Sequence, residues 1–360
     1  MANQLSRHPS QIPTRQLAEA NGAVSATESL AVTLDRQLNV TLRHQAAHRS
    51  TLSRMSLTSH LRARDSPIRV WFERNLGQTR PVVAGWNDEL CGTPRARCVI
   101  EPVEGSDSGL VGTATDYLVR AVLCASALND TVATHGAHRP TVPQTAIRLE
   151  REAVHAIADL RPWESPPTGD ALTELCRLCL VLARFDLLVR PGPSVVGGYV
   201  IQPLMDDPTL ATYSSRVVPP LYIEDLSRLA PAAIEDHLDF RAQRFVLNPT
   251  FRLSGLLGGA DADLIASGVL WDFKSTAQSA VADRATVWQL VGYALADTHD
   301  EYSIERVGIS ALRRRRRVAR QLDELLATLS HERPRGIAAW RADFADAVLS
   351  SLSPVLARPG

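Results

Sequence analysis

At about Phe245 the apolar residues of this chain change their spacing, and that change limits it to a fold combining helices with a sheet. Before it the spacing is helical. Ile68, Trp71, Phe72 and Leu76 predict a helix over 66–76, followed by a polar stretch punctuated by Gly and Pro to about Gly109. Further helices are predicted over about 113–127, 145–160 and 170–189, the last with Leu172, Leu175, Cys176, Cys179 and Leu180 near one stripe. Pro191-Gly192-Pro193 breaks the chain, and shorter helical pieces cover 222–230 and 231–243. Beyond Phe245, β-type segments rich in Val, Leu and Ile run through Lys274. A helix over 284–297, a strand over 302–311, a helix over 318–330 and a closing helix over 335–352 complete an α/β layout with a helical first half. No internal repeat is found.

The chain has 360 residues, 45% of them hydrophobic, with 39 basic and 39 acidic side chains. That excludes wholesale disorder and leaves no overall charge to draw the chain toward nucleic acid, so any such contact must be local. No apolar run reaches the ~18 residues of a membrane span, no membrane partner is expected, and a cytoplasmic location is the expectation. Residues 1–54, with six arginines against Glu19, Glu28 and Asp35, read as a mobile extension; a transit peptide ranks below that. One domain is expected over 55–352, with a helical part over about 110–243, a core over about 245–330 and a tail over 353–360. Five cysteines are expected to be reduced thiols.

Between Gly258 and Lys274 the sequence reads as a β-hairpin turning at Ser267-Gly268, where glycine permits positive φ. If Ala266 pairs with Val269, Asp263 lies opposite Asp272 and Asp261 opposite Lys274. A turn at Ala266-Ser267 would instead set Asp261 opposite Asp272. In the first register Asp261, Asp263, Asp272 and Lys274 share one face, and Trp271 and Phe273 point to the other. Carboxylates facing one another across strands repel unless something positive lies between them. Mg²⁺, or Mn²⁺ in its place, suits such a set of hard oxygen ligands.

Lys274 is the one lysine among the 39 basic residues, leaving 38 arginines. A compact ammonium can approach an attacking water or a phosphate, and desolvation can lower its pKa, whereas a guanidinium stays protonated.

Asp263 followed by Asp272-Phe273-Lys274 on a hairpin resembles the PD-(D/E)xK nuclease superfamily. Gln289-Leu-Val-Gly-Tyr293 on the next helix is similar to the QxxxY motif of its RecB-like exonuclease branch. Gly112-Thr-Ala-Thr-Asp116 is similar to the Gly-Thr-x-x-His signature of that branch, with Asp116 where a histidine metal ligand is usual. The resemblance covers roughly Gly112 to Ala327. It implies a restriction-endonuclease-like core, a mixed sheet flanked by helices, and metal-dependent hydrolysis of DNA, with RNA an open alternative. Asp263 and Asp272 would bind the metal, Asp261 being the alternate to Asp263 and Asp116 a further ligand. Lys274 would position or activate water, and Gln289 and Tyr293 would support the site. Repair, recombination and phage defence are the settings implied, with a separate helicase or defence-system partner if unwinding is needed. The rival expectation is a non-catalytic nucleic-acid-binding or scaffold protein that retains the fold.

Arg313, Arg314, Arg315, Arg316 and Arg317 follow the predicted strand and are candidates for gripping a DNA backbone. Cys176 and Cys179 have metal-ligand spacing, but the late cysteines of the iron–sulfur relatives in this branch are missing, so no cluster is expected. The chain has no HExxH, phosphate-binding loop, G-x-S-x-G or G-x-G-x-x-G, so helicase, serine hydrolase and dinucleotide-dependent readings lack support.

Overall fold

Ser267 and Gly268 both take positive φ, 47° and 74°, and close the tight turn between β2 (Leu264–Ala266) and β3 (Val269–Lys274). The pairing is Ala266 with Val269, Ile265 with Leu270 and Leu264 with Trp271, the first of the two registers above. A computed structural model describes residues 56–92, 98–189, 194–258, 262–330 and 335–356. The expectations for residues 1–54, for Pro191-Gly192-Pro193 and for Asp261 lie outside them, as do 357–360 of the expected tail.

The first half is helical as its spacing predicts: α1 (Leu57–Arg62), α2 (Pro67–Asn75), α3 (Thr79–Cys91), α4 (Ser108–Leu123), α5 (Val132–Ala137), α6 (Thr145–Leu160), α7 (Gly169–Asp186), α8 (Ser194–Ile201), α9 (Leu210–Val217) and α10 (Pro220–His237). Two elements depart from the expected pattern. α3 occupies the stretch read as polar and irregular, because Pro81 sits in its first turn, where no amide donor is needed. α10 runs through Pro231 as one helix where two pieces were expected, held by buried Leu226, Leu229, Ala233 and Ile234.

One five-stranded mixed sheet follows, in the order β1 (Phe245–Leu247), β2, β3, β4 (Arg306–Ala311), β5 (Arg316–Gln321). β3 and β4 are parallel, joined through α11 (Arg284–Ala296), and the other neighbours are antiparallel. β5 replaces the first part of the helix expected from 318; α12 (Leu322–Leu329) and α13 (Ile337–Leu356) close the chain. The residues alternate strictly across the sheet. Leu264, Ala266, Val269 and Trp271 join a core built with α4, α5, α6, α7, α9 and α10. Ile265, Leu270, Val307, Ile309 and Val318 join a second core with α1, α2, α3, α11, α12 and α13. The sheet is therefore the middle layer between two helical layers. No helix among the described residues is long and apolar enough to cross a membrane.

On the first face, fully buried His237 donates from Nδ1 to the Ala233 carbonyl (2.6 Å) and accepts at Nε2 from the Ser310 hydroxyl (3.0 Å). Burial pushes its pKa down to about 4. Below about 6.5 the unfolded chain takes up a proton that the folded chain refuses until about 4, so stability is full above this window and falls as the pH drops through it. His237→Gln should remove about 2–3 kcal/mol of the stability lost between about pH 7 and pH 4.5. Urea unfolding at the two pH values measures it, and an unchanged acid loss in the variant refutes the assignment.

Candidate active site

The end of β3 is where both helical layers reach the sheet, α4 from one side and α11 from the other. Side-chain alternation sends Trp271 and Phe273 into the first core and leaves Asp272 and Lys274 on the opposite face, as the hairpin arithmetic predicts. Asp263, just before β2, turns its carboxylate toward β3, and its Oδ2 accepts from the Phe273 backbone N–H at 2.7 Å. Lys274 donates from Nζ to Asp272 Oδ1 at 3.1 Å and stands 2.8 Å from Oδ2. That second contact is off the hydrogen-bond direction, so buried Asp272 Oδ2 is left without a hydrogen-bond donor.

α11 starts in a capping box formed by Asp283 and Thr286 and is buried on almost every side. Gln289 and Tyr293 are neighbours on it one turn apart, and Gln289 Nε2 donates to the Tyr293 hydroxyl at 3.0 Å. The Tyr293 ring is stacked on Phe251 at 6.0 Å and lies close enough to Lys274 to act on its charge.

Asp116 comes from α4, some 150 residues upstream in sequence, and its carboxyl feels the charges of both Asp263 and Asp272. Burial, with Asp263 and Asp272 adding to it against Arg120, holds the Asp116 carboxyl well above the ordinary range. Burial and Asp272 likewise raise Asp263 to about 6, opposed by the Phe273 amide, Arg120 and Lys274. Lys274 corrects the idea that desolvation lowers its pKa. Burial does pull it down, but the charge and hydrogen bond of Asp272, with Asp263 and Tyr293, outweigh that and raise it. Lys274 is an ammonium here, suited to stabilising negative charge and orienting water, and unsuited to accepting a proton.

Three features of the cluster fit a hard cation: the donors are all carboxylate oxygens, burial together with their mutual repulsion raises two of the three pKa values, and buried Asp272 Oδ2 has only the off-axis Lys274 ammonium beside it. Asp263 and Asp272 would hold the ion. Among the described residues no three His, Cys, Asp or Glu side chains already converge on one point, so Asp116 stands beside this pair as a neighbour and is not drawn into a closed cage with it.

Burial corrects the expectation for Arg313 and Arg314, while Arg315, Arg316 and Arg317 are exposed. Arg313 is fully buried, paired through both terminal nitrogens with Asp225, and Arg314 is buried with its guanidinium donating to the Gln278 carbonyl. Arg315 is bound by Glu235 and Asp236, Arg316 donates to the Glu89 carbonyl, and Arg317 pairs with Asp239 at 3.4 Å while lying over Phe240. Cys176 and Cys179 are fully buried core thiols on α7, as their helical stripe suggests. The residue that motif reasoning passed over is Arg120, one turn beyond Asp116 on α4 and acting on the charges of both Asp116 and Asp263. Its i,i+4 spacing from Asp116 was the available signal.

No family model matches this chain, and no curated protein or solved structure matches it either.

Proposed function

We propose that this protein is a metal-dependent nuclease that hydrolyses DNA phosphodiester bonds with Mg²⁺ or Mn²⁺, on a restriction-endonuclease-like core of the RecB-like type. The observation that carries the reading is the convergence, at the end of one strand, of the Asp263–Asp272 carboxylate pair with the chain's single lysine and the Gln289–Tyr293 pair. A bound divalent ion would supply a low-pKa water and a counter-charge for the scissile phosphate. The chain's own part is narrower. Asp272 on β3 and Asp263 just before β2 present oxygens side by side, with Asp263 fixed by the Phe273 amide. Lys274 places a fixed positive charge beside them, where negative charge grows on the phosphoryl group. Tyr293, steadied by Gln289 and Phe251, limits the space beside the ammonium.

The test is cleavage of end-labelled single- and double-stranded DNA and RNA by the full chain with Mg²⁺, with Mn²⁺ and with EDTA. Metal-dependent cleavage of DNA that falls at least about 100-fold in Asp272→Ala is the expected result. Binding of DNA with no metal-dependent cleavage would sink the enzyme and favour a non-catalytic nucleic-acid-binding module on the same fold.

A further inference from the structure

The geometry points to Arg120 as the group that grips the nonbridging oxygens of the substrate's phosphodiester. The inference rests on the nuclease reading and adds to it a residue that no motif of the resemblance contains.

Gly112, Asp116 and Arg120 recur every four residues and form one row along α4. The start of that row lies against the end of β3. A Cβ on Gly112 would come within 2.6 Å of Ser275 Oγ and 3.8 Å of its Cβ, so the α4 backbone passes in close contact with the residue after Lys274. One turn on is Asp116, and two turns on is Arg120. Arg120 is 7% exposed, and its guanidinium lies 5.3 Å from the centroid of the Tyr117 ring. That ring is itself fixed: the Tyr117 hydroxyl donates to Asp186 Oδ2 at 3.2 Å and accepts from the Ala133 amide at 3.0 Å.

Five arginines are buried among the described residues. Arg184 donates to the Val217 carbonyl, Arg313 to Asp225 and the Ser275 carbonyl, Arg314 to the Gln278 carbonyl and Arg341 to the Ala294 carbonyl. Among the described residues Arg120 has no such acceptor and no carboxylate within ion-pair distance. No Arg120 nitrogen is sealed from solvent without a partner, so the fork stays open to a ligand, and its geometry matches two oxygens of a phosphate.

The experiment measures affinity of the full chain for a labelled DNA duplex as a function of salt, with Ca²⁺ at fixed concentration in place of Mg²⁺. Wild type, Arg120→Gln and Arg120→Lys are compared. Arg120→Gln should weaken binding about tenfold and reduce the slope of log K against log salt by about one, the signature of one lost phosphate contact. Arg120→Lys should keep the slope but cleave about tenfold more slowly with Mg²⁺, because an ammonium restores charge without the two-pronged fit. Mn²⁺ affinity of the DNA-free protein should not fall in either variant, because losing a positive charge beside Asp116 and Asp263 does not disfavour a cation there. An unchanged slope and affinity in Arg120→Gln overturns the proposal. So does a loss of Mn²⁺ affinity matching the loss of DNA affinity, which would make Arg120 a structural support that holds the carboxylates in place. If Arg120→Gln does not fold, Arg120→Lys decides, since wild-type cleavage in that variant is incompatible with a phosphate fork. Wild-type binding without cleavage removes the nuclease reading while the slope still decides Arg120; absence of both binding and cleavage removes the two together.

Discussion

Lys274→Ala should lower the rate of metal-dependent DNA cleavage about 100- to 1,000-fold while DNA affinity changes by less than about threefold. The expected split follows from where the ammonium sits. Its contacts are with Asp272, 2.8 and 3.1 Å away, at the point where the attacked phosphoryl group would gather charge, so it contributes to the transition state and little to holding the flanking backbone. Lys274→Arg should rescue poorly. Arginine serves at 38 other positions in this chain, so its failure here would show that a compact point charge is required. Because Asp272 raises the Lys274 pKa, the loss should also be the same across neutral to mildly alkaline pH, with no region in which a neutral lysine acts as base. Single-turnover rates for the three proteins at saturating DNA check this. A Lys274→Ala protein that cleaves within tenfold of wild type would remove the ammonium from the chemistry, and an arginine variant of full activity would remove the requirement for a lysine.

What could be read from the sequence was local, and what could not was carried by contacts between distant segments. The turn at Ser267-Gly268 is legible because two consecutive residues at positive φ strongly favour glycine and few other types, and strand alternation then fixes which face Asp272 and Lys274 occupy. The Gln289–Tyr293 pair is legible because helical spacing alone brings them together. Asp116 has no such local signature. Its place near Asp263 depends on α4 packing across the sheet end, and only the resemblance singled it out. The pairing of the arginine run was illegible for the converse reason: its acidic partners, Asp225, Glu235, Asp236 and Asp239, stand some 80 residues earlier, and nothing in a run of like charges announces them. β5 was hidden by the same run. An edge strand tolerates arginines whose stems lie along apolar surface, as Arg317 does over Phe240, and such a strand lacks the β-branched signature of a central one.

Asp225→Ala should be the most destabilising single change in the molecule outside the apolar cores, costing about 3–5 kcal/mol. Asp225 and Arg313 are both fully buried and meet through two parallel bonds of 3.0 and 2.7 Å. The remaining capacity of each is also used. Asp225 accepts from the Val103 amide at 3.2 Å and the Ser106 hydroxyl at 2.7 Å, while Arg313 Nε donates to the Ser275 carbonyl at 2.7 Å. The pair therefore ties the segment before α4, the α10 helix and the chain just beyond Lys274 into one unit, and holds two sides of the candidate site in place. Removing one partner leaves a guanidinium buried without its counter-charge, which costs far more than the pair itself contributes, because both ions lost their hydration on folding. Two consequences separate this account from one of simple packing. Asp225→Asn, which keeps the shape but turns one of the two acceptor oxygens into an amide donor and loses the charge, should still be markedly destabilised. The double variant Asp225→Leu with Arg313→Met should recover much of the loss, since neither charge is then stranded, and the double-mutant cycle should show strong coupling. Urea unfolding of the four proteins measures all of it. Additive losses in the double variant, or an Asp225→Ala protein as stable as wild type, would mean that the fold draws no support from the pairing, and that the end of β3 is held by the sheet alone.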